Sequence, residues 1–390
     1  MSTRAIRVLY VSHTSQVSGG ERSLLDLLAG LPADVTPAVA CPDGPLAASV
    51  RALRIPTHRL LGTEASLRLH PRHTARALAH LARSAVAVRR LSGAVAADVV
   101  HANSIRAGLV TAGARRLGAP PTVVHVRDRL PPGRASRLSL EAIVRGNDLV
   151  VANSRYTAES MAPRASVRVT SNPVDLARFD PARTDPDAAR RSLGLPDDLP
   201  VLAVIAQLTP WKGQDDAIRL IGLLKDRGRR VRLLVVGAAK FVSDATRYDN
   251  RAYRAGLDRL VDALGLRDDV VFTGELEDVP LVLRATDVLL VPSWEEPFGR
   301  TVIEGMAMGV PVVATCVGGP AEIVTDGDDG LLLAPRRPDL WADAVGDLLA
   351  RPQHRARIAE RGRRTAATFS RERHVAAIVE LYRELARKRA

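Results

Sequence analysis

WEEPFGRTVIEGMAMGVPVVAT, residues 294–315, joins an acidic loop, a short helix and an apolar strand within 22 residues. Pro297 and Gly299 interrupt the backbone before a helical pattern opens near Arg300, and Gly309 ends that pattern ahead of a strand over 310–314. A helix that opens straight out of a loop presents N–H groups without helical partners and a partial positive charge. Phe298, Gly299, Arg300 and Thr301 are therefore candidates to hold a phosphate through backbone donors. Glu296 and Glu304, eight positions apart, flank that site. Phosphate would repel both, so they suit hydroxyls: Glu296 those of a sugar, Glu304 those of a ribose, as an acidic residue does in dinucleotide-binding folds. The plainer alternative is that Arg300 and Glu304, at i and i+4, pair along a helix face, with Glu295 and Glu296 as solvated loop charges.

The order Glu296, Phe298, Gly299, Glu304 and then a Gly-Val-Pro-Val-Val strand resembles the donor-site signature of retaining glycosyltransferases of family 4, two glutamates separated by seven residues. The resemblance covers essentially the whole chain, with further motifs matching in order. It implies the GT-B fold: an α/β architecture of two Rossmann-like domains facing across a cleft. It also implies a nucleotide-sugar donor as co-substrate, no cofactor and no metal.

Composition accommodates this. The chain of 390 residues is 46% apolar and 25% charged, enough for two domains with cores of their own. There is no apolar run of about 18 residues and no charged start leading into an apolar block, so a spanning helix and a signal peptide are not expected and a cytosolic location is. Cys41 and Cys316 stand far apart, without disulfide or metal spacing, and are expected to be buried or half-buried. Residues 1–172 hold 23 arginines, no lysine and 10 acids, while the remainder holds 33 basic and 33 acidic residues, so the whole formal excess of +13 lies in the first part. Such asymmetry points to an anionic partner: nucleic acid, an acidic membrane surface on the cytoplasmic side, or a phosphorylated acceptor.

The N-terminal part reads as strand 6–12, a loop and a helix over 21–31. Gly19 and Gly20 at the helix entry let backbone approach a ligand, and they resemble the family's N-terminal Gly-Gly loop, which faces the donor. Strands over 37–41, 98–102, 121–126, 149–152 and 167–171 alternate with helical stretches, the pattern of a parallel sheet with crossover helices. Ligands of such sheets sit outside the C-terminal strand ends, which places His101, His125, Arg127 and Asp128 on the functional rim. The family has a histidine after the corresponding strand that contacts the donor sugar, and His125 is matched to it. Residues 67–91 carry Arg68, Arg72, Arg76, Arg83, Arg89 and Arg90 with apolar residues at helical spacing, a crossover helix or a membrane-surface element. The basic loop 130–137 is a candidate acceptor loop.

Asn172, Pro173, Val174 and Asp175 open a polar, proline-rich linker to Pro200 that resembles the family's crossover between domains, with Pro173 in place of a glycine. The resulting domains are 1–172 on the acceptor side and 173–370 on the nucleotide-sugar side, the helix 371–390 packing back on the first. In the second domain Lys212, at a strand-to-helix turn, could neutralise a diphosphate, and Gly213 leaves room for it. The family pattern has Gly-Arg ahead of Lys-Gly; here Ala206 and Gln207 stand there, and Gln207 brings hydrogen bonds but no charge. Arg300 is a candidate to supply the missing charge. Residues 274–276, Leu276 among them, resemble the loop that holds the nucleobase. Aspartate pairs beginning at 197, 215, 268 and 328 read as caps and solvated charges, not metal ligands.

These features imply a retaining transferase moving a hexose-type sugar from a nucleoside diphosphate to a hydroxyl of an anionic, membrane-associated or small natural-product acceptor. Donor contacts fall to Gly19, Gly20, Gln207, Lys212, Leu276, Phe298, Gly299, Arg300, Thr301 and Glu304, with His125 and Glu296 at the reacting centre. A nucleotide-sugar epimerase or a phosphorylase of related architecture is the alternative. A nucleic-acid-binding protein is the alternative of another class, disfavoured because only 3% of residues are aromatic and no recognition motif appears.

Overall fold

Two runs of alternating apolar strands and amphipathic helices fold into two parallel sheets. The computed structural model describes residues 4–62, 71–161, 167–196, 198–240 and 248–387, with only the backbone of 71–76. Arg68 of the basic stretch and Asp197 lie outside these residues, as do the side chains of Arg72 and Arg76. The chain divides into unit 1, Met1–Pro173 with Arg371–Ala390, and unit 2, Val174–Ser370.

Unit 1 contains β1 (Ile6–Val11), α1 (Gly19–Ala29), β2 (Val35–Cys41), α2 (Pro45–Ala52), β3 (Thr57–Arg59), α3 (Pro71–Ala94), β4 (Val99–Ala102), α4 (Ile105–Arg116), β5 (Thr122–Val126), α5 (Arg134–Gly146), β6 (Leu149–Ala152), α6 (Arg155–Glu159) and β7 (Val167–Val169). Unit 2 contains α7 (Pro186–Ser192), β8 (Val201–Ile205), α8 (Gln214–Asp226), β9 (Arg232–Val236), α9 (Asn250–Ala263), β10 (Val270–Gly274), α10 (Val279–Arg284), β11 (Val288–Val291), α11 (Arg300–Ala307), β12 (Val312–Thr315), α12 (Pro320–Ile323), β13 (Leu331–Leu333), α13 (Pro338–Ala350) and α14 (Pro352–Ala367); α15 (Arg371–Arg387) belongs to unit 1.

The strand orders are β3-β2-β1-β4-β5-β6-β7 and β10-β9-β8-β11-β12-β13. In each sheet the order reverses direction once, between β1 and β4 in unit 1 and between β8 and β11 in unit 2. Loops leaving the two strands at such a point diverge to opposite faces and open a crevice at the carboxyl ends.

Side chains alternate across each strand, so both faces need cover. In unit 1, Leu9, Val11, Val100 and Val124 pack against Val88 of α3, Val110 of α4 and Ile143 of α5. Val8, Tyr10, Val99 and Val123 pack on the other face against Leu27 of α1, Leu46 of α2 and Ile378 and Tyr382 of α15. Each fully buried Val or Leu contributes about 1.5–3 kcal/mol relative to exposure, which explains why strands this short hold.

Three expectations are corrected. The supposed linker is part of unit 2: Val174, Phe179, Ala189 and Leu195 are buried in its core, and it forms α7. The proposed acceptor loop ends at Gly133, where α5 begins. Cys316 is exposed, whereas Cys41 is buried. No helix among the described residues is long and apolar enough to cross a membrane.

Candidate functional site

At the reversal point of the unit 2 sheet, the chain leaving β8 makes one 3-10 turn over Pro210–Lys212 and enters α8 through Gly213. Gly213 has φ +69°, and a Cβ there would lie 2.1 Å from the carbonyl oxygen of Pro292, just past β11. Only glycine lets the two loops touch. This contact sets Lys212 beside the WEEPFG loop, where its Nζ lies 2.5 Å from Glu296 Oε2. Ser293 Oγ donates to the same oxygen at 3.0 Å. The ammonium also rests 4.1 Å from the Trp211 ring centroid, a cation–π contact. The Lys212 and Glu296 side chains are 17% and 12% exposed, so this is a half-buried ion pair with one edge open to a ligand.

The glutamate loop is clamped from behind. Glu296 N donates to Val317 O at 3.1 Å, and Gly319 N donates to Glu296 O at 2.8 Å. A Cβ on Gly319 would lie 2.3 Å from Phe298 Cα and O. Phe298 is buried and meets Phe369 edge-on, their centroids 6.0 Å apart. Gly299, at φ +96°, turns the chain into α11. Arg300 Nη2 and Nε then donate to Glu304 Oε1 at 3.0 and 3.3 Å, so the i, i+4 pairing is formed. Thr301 Oγ1 reaches Ile205 O at 3.4 Å.

Lys212, Glu296 and Thr301 line one small cavity with Ala206 and Ser293. Gln207 is next to it, its side-chain amide donating to Lys240 O at 3.4 Å and its backbone carbonyl accepting from Gln214 Nε2 at 2.9 Å. Leu276 packs against the core.

Of the aspartates read as caps and solvated charges, Asp198 and Asp268 are exposed and Asp215 and Asp216 stand in the first turn of α8, whereas Asp269 and Asp329 are buried. Asp269 pairs with Lys225 at 2.9 Å, Asp329 accepts from Thr365 Oγ1 at 2.6 Å and Asp215 from the Tyr253 hydroxyl at 2.9 Å. Burial, with Asp215 beside it, raises the Asp216 carboxyl to about 6.

In unit 1 the carboxyl end of β5 differs from its expected form. His125 lies within the strand, fully buried, its ring 5.8 Å from His101 and 6.0 Å from His374 of α15. It is not on the rim. The sequence alternation that buries Val123 beneath α15 carries His125 to the same face. Burial first, and then the Arg127 charge, hold His125 far below the usual histidine range. His101 is lowered to about 3 by the same two causes, and its Nδ1 lies 2.6 Å from the Tyr382 hydroxyl.

Arg127, the first residue past β5, fastens this end of the sheet. Its guanidinium donates to Asn172 Oδ1, to Asn103 Oδ1 at 3.2 Å and toward His125 Nδ1 at 3.1 Å. Asn103 Nδ2 in turn donates to Gly20 O at 3.2 Å. Gly19 and Gly20 form the first turn of α1, where buried Glu21 accepts from the Ser18 hydroxyl and from Ser18 N at 3.2 Å. No group of three or more His, Cys, Asp or Glu suited to a metal occurs among the described residues.

Comparison with known proteins fits this geometry. The model of the glycosyl transferases group 1 family matches residues 185–365, and that of Glycosyltransferase Family 4 matches 17–178. A D-inositol 3-phosphate glycosyltransferase of Saccharomonospora viridis is 34% identical over 311 residues, 74% of this chain and 70% of that protein. The chain belongs to glycosyltransferase family 4. The D-inositol 3-phosphate glycosyltransferase of Salinispora arenicola is 34% identical over 277 residues, 65% of this family 4 chain, and the match spans only 58% of that relative's length.

The solved structure of Anabaena HepE in complex with UDP-glucose superposes with a TM-score of 0.82 at 25% identity, covering 97% of the family 4 chain and 100% of its own. The sucrose-phosphate synthase of Thermosynechococcus elongatus, at 23% identity and a TM-score of 0.78, shares the GT-B fold.

Sequence reasoning missed Ser293, which orients Glu296, and the Arg127–Asn103–Gly20 chain. Ser293 adjoins the quoted motif, whereas the chain joins two strand ends and the first turn of α1 and has no local signal.

Proposed function

We propose that this protein is a retaining, nucleotide-sugar-dependent glycosyltransferase that moves a hexose-type sugar from a nucleoside diphosphate to an acceptor hydroxyl. The observation that carries this is the Lys212–Glu296–Ser293 cluster, open on one edge at the reversal point of the unit 2 sheet. Lys212 is placed to stabilise the leaving diphosphate, the charge that grows in the transition state. Glu296, held by Ser293, takes sugar hydroxyls, and Glu304 takes those of the ribose.

The bond from the anomeric carbon to the phosphate oxygen breaks as the acceptor oxygen bonds to that carbon on the same face. The acceptor proton passes to the leaving phosphate, so no protein nucleophile and no metal is required. His125, buried within β5, is assigned no step in this reading. The UDP-glucose bound by HepE favours a uridine nucleotide, and the acceptor in the name of the relatives favours an anionic polyol.

Thermal unfolding with UDP, GDP, ADP and TDP, with and without Mg²⁺, tests the reading. A nucleotide at about 100 times its dissociation constant should raise the midpoint by about 5–10 °C, and Glu304→Gln should abolish the rise. The anomeric configuration of the product, read by NMR, then decides retention. If no nucleotide raises the midpoint, the reading fails.

A specific charge distribution favours a second property of the same enzyme, peripheral contact with an acidic membrane. Helices α3, α4 and α5, which cover one face of the unit 1 sheet, carry 11 arginines and one acid, Glu141, whereas α1, α2 and α15 on the other face carry six arginines and five acids. Leu78 and Leu138, each 61% exposed, stand among the arginines. Arginines interleaved with exposed leucine suit an anionic lipid surface. Sedimentation with phosphatidylglycerol vesicles, lost in high salt and absent with phosphatidylcholine, is expected; equal binding to both would exclude it.

A further inference from the structure

The two loops of unit 2 that carry Lys212 and Glu296 are joined by a backbone bond, in which Trp294 N donates to Trp211 O at 2.8 Å. Trp211 immediately precedes Lys212, and Trp294 stands two residues before Glu296. Whatever fixes the Trp294 ring therefore bears on the spacing of the two charges. No hydrogen bond of its own fixes that ring, since the buried Nε1–H has no partner among the described residues. It is held on its face and edge instead. The Arg336 guanidinium carbon lies 4.6 Å from its centroid, and the Tyr248 ring meets it at 89° with centroids 6.5 Å apart. Tryptophan gives a cation the strongest of the aromatic faces.

Arg336 reaches this ring from a backbone conformation that residues with a side chain avoid. Its φ is +59°, which costs energy at any position but glycine. The two other such residues among those described, Arg54 and Ala96, have a local explanation. Each stops a helix, and the next N–H closes back onto it, Ile55 N on Val50 O at 3.4 Å and Ala97 N on Ser92 O at 2.8 Å. Arg336 stops no helix: it lies between β13 and α13, and β13 is two strands away from β11, which leads to Trp294. Backbone strain of this kind collects where a site must be held in one geometry. The Arg336 charge also acts on Asp216, in the first turn of α8 and four residues past Lys212. One guanidinium thus bears on both loops.

We infer that Arg336 is a positioning residue of the unit 2 site, which sets the Lys212–Glu296 pair by holding the Trp294 ring. The positioning belongs to the loops of unit 2, and only its weight in catalysis rests on the transferase reading. In that reading Lys212 must face the leaving diphosphate while Glu296 faces the sugar, and a displacement of about 1 Å costs up to about 100-fold in rate.

The test reads Lys212 directly. The chain has four lysines, so the full-length protein labelled with ¹³C-lysine gives four side-chain signals, and Lys212→Arg identifies the one of interest. The Trp211 ring, 4.1 Å from Lys212 Nζ, shifts the protons on its Cε upfield. Arg336→Gly suits the backbone at this position and should leave the unfolding midpoint no lower. It should nevertheless move the Lys212 signal downfield, while Lys225, paired with Asp269 at 2.9 Å, stays in place. Arg336→Lys keeps a cation for the ring and should recover part of the shift. Trp294→Leu should displace the Lys212 signal as Arg336→Gly does, and the double variant should displace it no further. With UDP-glucose as probe, hydrolysis by Arg336→Gly should show kcat lowered by about 10- to 100-fold and KM little changed.

A Lys212 signal unmoved by Arg336→Gly overturns the positioning role, as does a displacement that Lys225 shares. A double variant that moves Lys212 by the sum of the single shifts overturns it too, because the two residues would then act separately. A lowered midpoint in Arg336→Gly would mark a brace of the fold only, and an unchanged kcat would remove Arg336 from the reaction. A natural chain that turns over no UDP-glucose, while its Lys212 signal still follows Arg336, would count against the transferase reading with a uridine donor and leave the positioning standing.

Discussion

The two reversal points are built from the same topology and treat charge in opposite ways. In unit 2 each cation beside the crevice already meets a carboxylate, Lys212 with Glu296 and Arg300 with Glu304. In unit 1 the half-buried Arg106 of α4 makes no ion pair among the described residues, and Arg127 donates to two amides and toward a neutral histidine. The difference follows whole-unit charge: unit 1 contains 29 basic and 13 acidic residues, unit 2 contains 27 and 30.

A crevice whose cations are paired keeps them oriented while empty and releases them to a stronger anion when one arrives. The comparison teaches that chemistry placed on a doubly wound sheet is decided by the loop residues, not by the sheet.

The largest expected effect comes from breaking the paired side. Lys212→Ala removes the lysine that lines the unit 2 cavity and leaves Glu296 with Ser293 as its remaining side-chain partner among the described residues. Loss of a preorganised group facing developing negative charge lowers kcat/KM by about 10²- to 10³-fold. Steady-state kinetics with a UDP-sugar should show this fall in kcat as well as in kcat/KM. The effect is sharpened by position 207, where Gln207 brings no charge. A loss of less than tenfold would mean that the pair is a structural link, and the contrast between the crevices would collapse.

How far this was legible from the chain depends on the kind of signal. The strand 149–152 was readable to the residue because its apolar run is bounded by polar turns. The helix α5 was not, because Pro131, Pro132 and Gly133 signal a loop and the amphipathic pattern begins only beyond them. The segment after Pro173 looked like a linker by composition, yet Val174, Phe179, Ala189 and Leu195 are spaced to fill the unit 2 core.

At the site, the spacing of Glu296 and Glu304 was visible, and so was Lys212 at its turn. What periodicity could not supply was the direction of a single side chain. His125 was placed on the rim because it comes late in an apolar run, but one residue of pleat decides between rim and core, and it fell on the α15 face. Arg106 carried no sequence signal, since one arginine among 23 is noticed only when its neighbours are known to leave it unanswered.

The pleat that hid His125 gives the two units different acid sensitivity. Eight of the nine histidines lie in unit 1, and the single one in unit 2, His354, is bonded to Arg357 near the surface of α14. His101 and His125 are neutral in the fold because burial opposes their charged form, with Arg127 adding to the effect. Unfolding lets both take a proton near their ordinary pKa of about 6.5. Their contribution to stability is therefore complete above that pH and is lost as pH falls toward the folded values, with a slope approaching about 1.4 kcal/mol per pH unit for each.

In unit 2 the raised Asp216 carboxyl works the other way, gaining stability as pH falls through about 6. Unit 1 should thus unfold first in acid. All three tryptophans, Trp211, Trp294 and Trp341, lie in unit 2, so their fluorescence reports that unit alone while far-ultraviolet circular dichroism reports both. Urea unfolding at pH 5 should show an early dichroism transition that fluorescence misses, and at pH 7.5 the two curves should lie closer together. His125→Asn removes one buried titration and should flatten the acid slope of the early transition. Coincident curves that move together between pH 7.5 and pH 5 would show that the neutral histidines do not set the acid stability of unit 1.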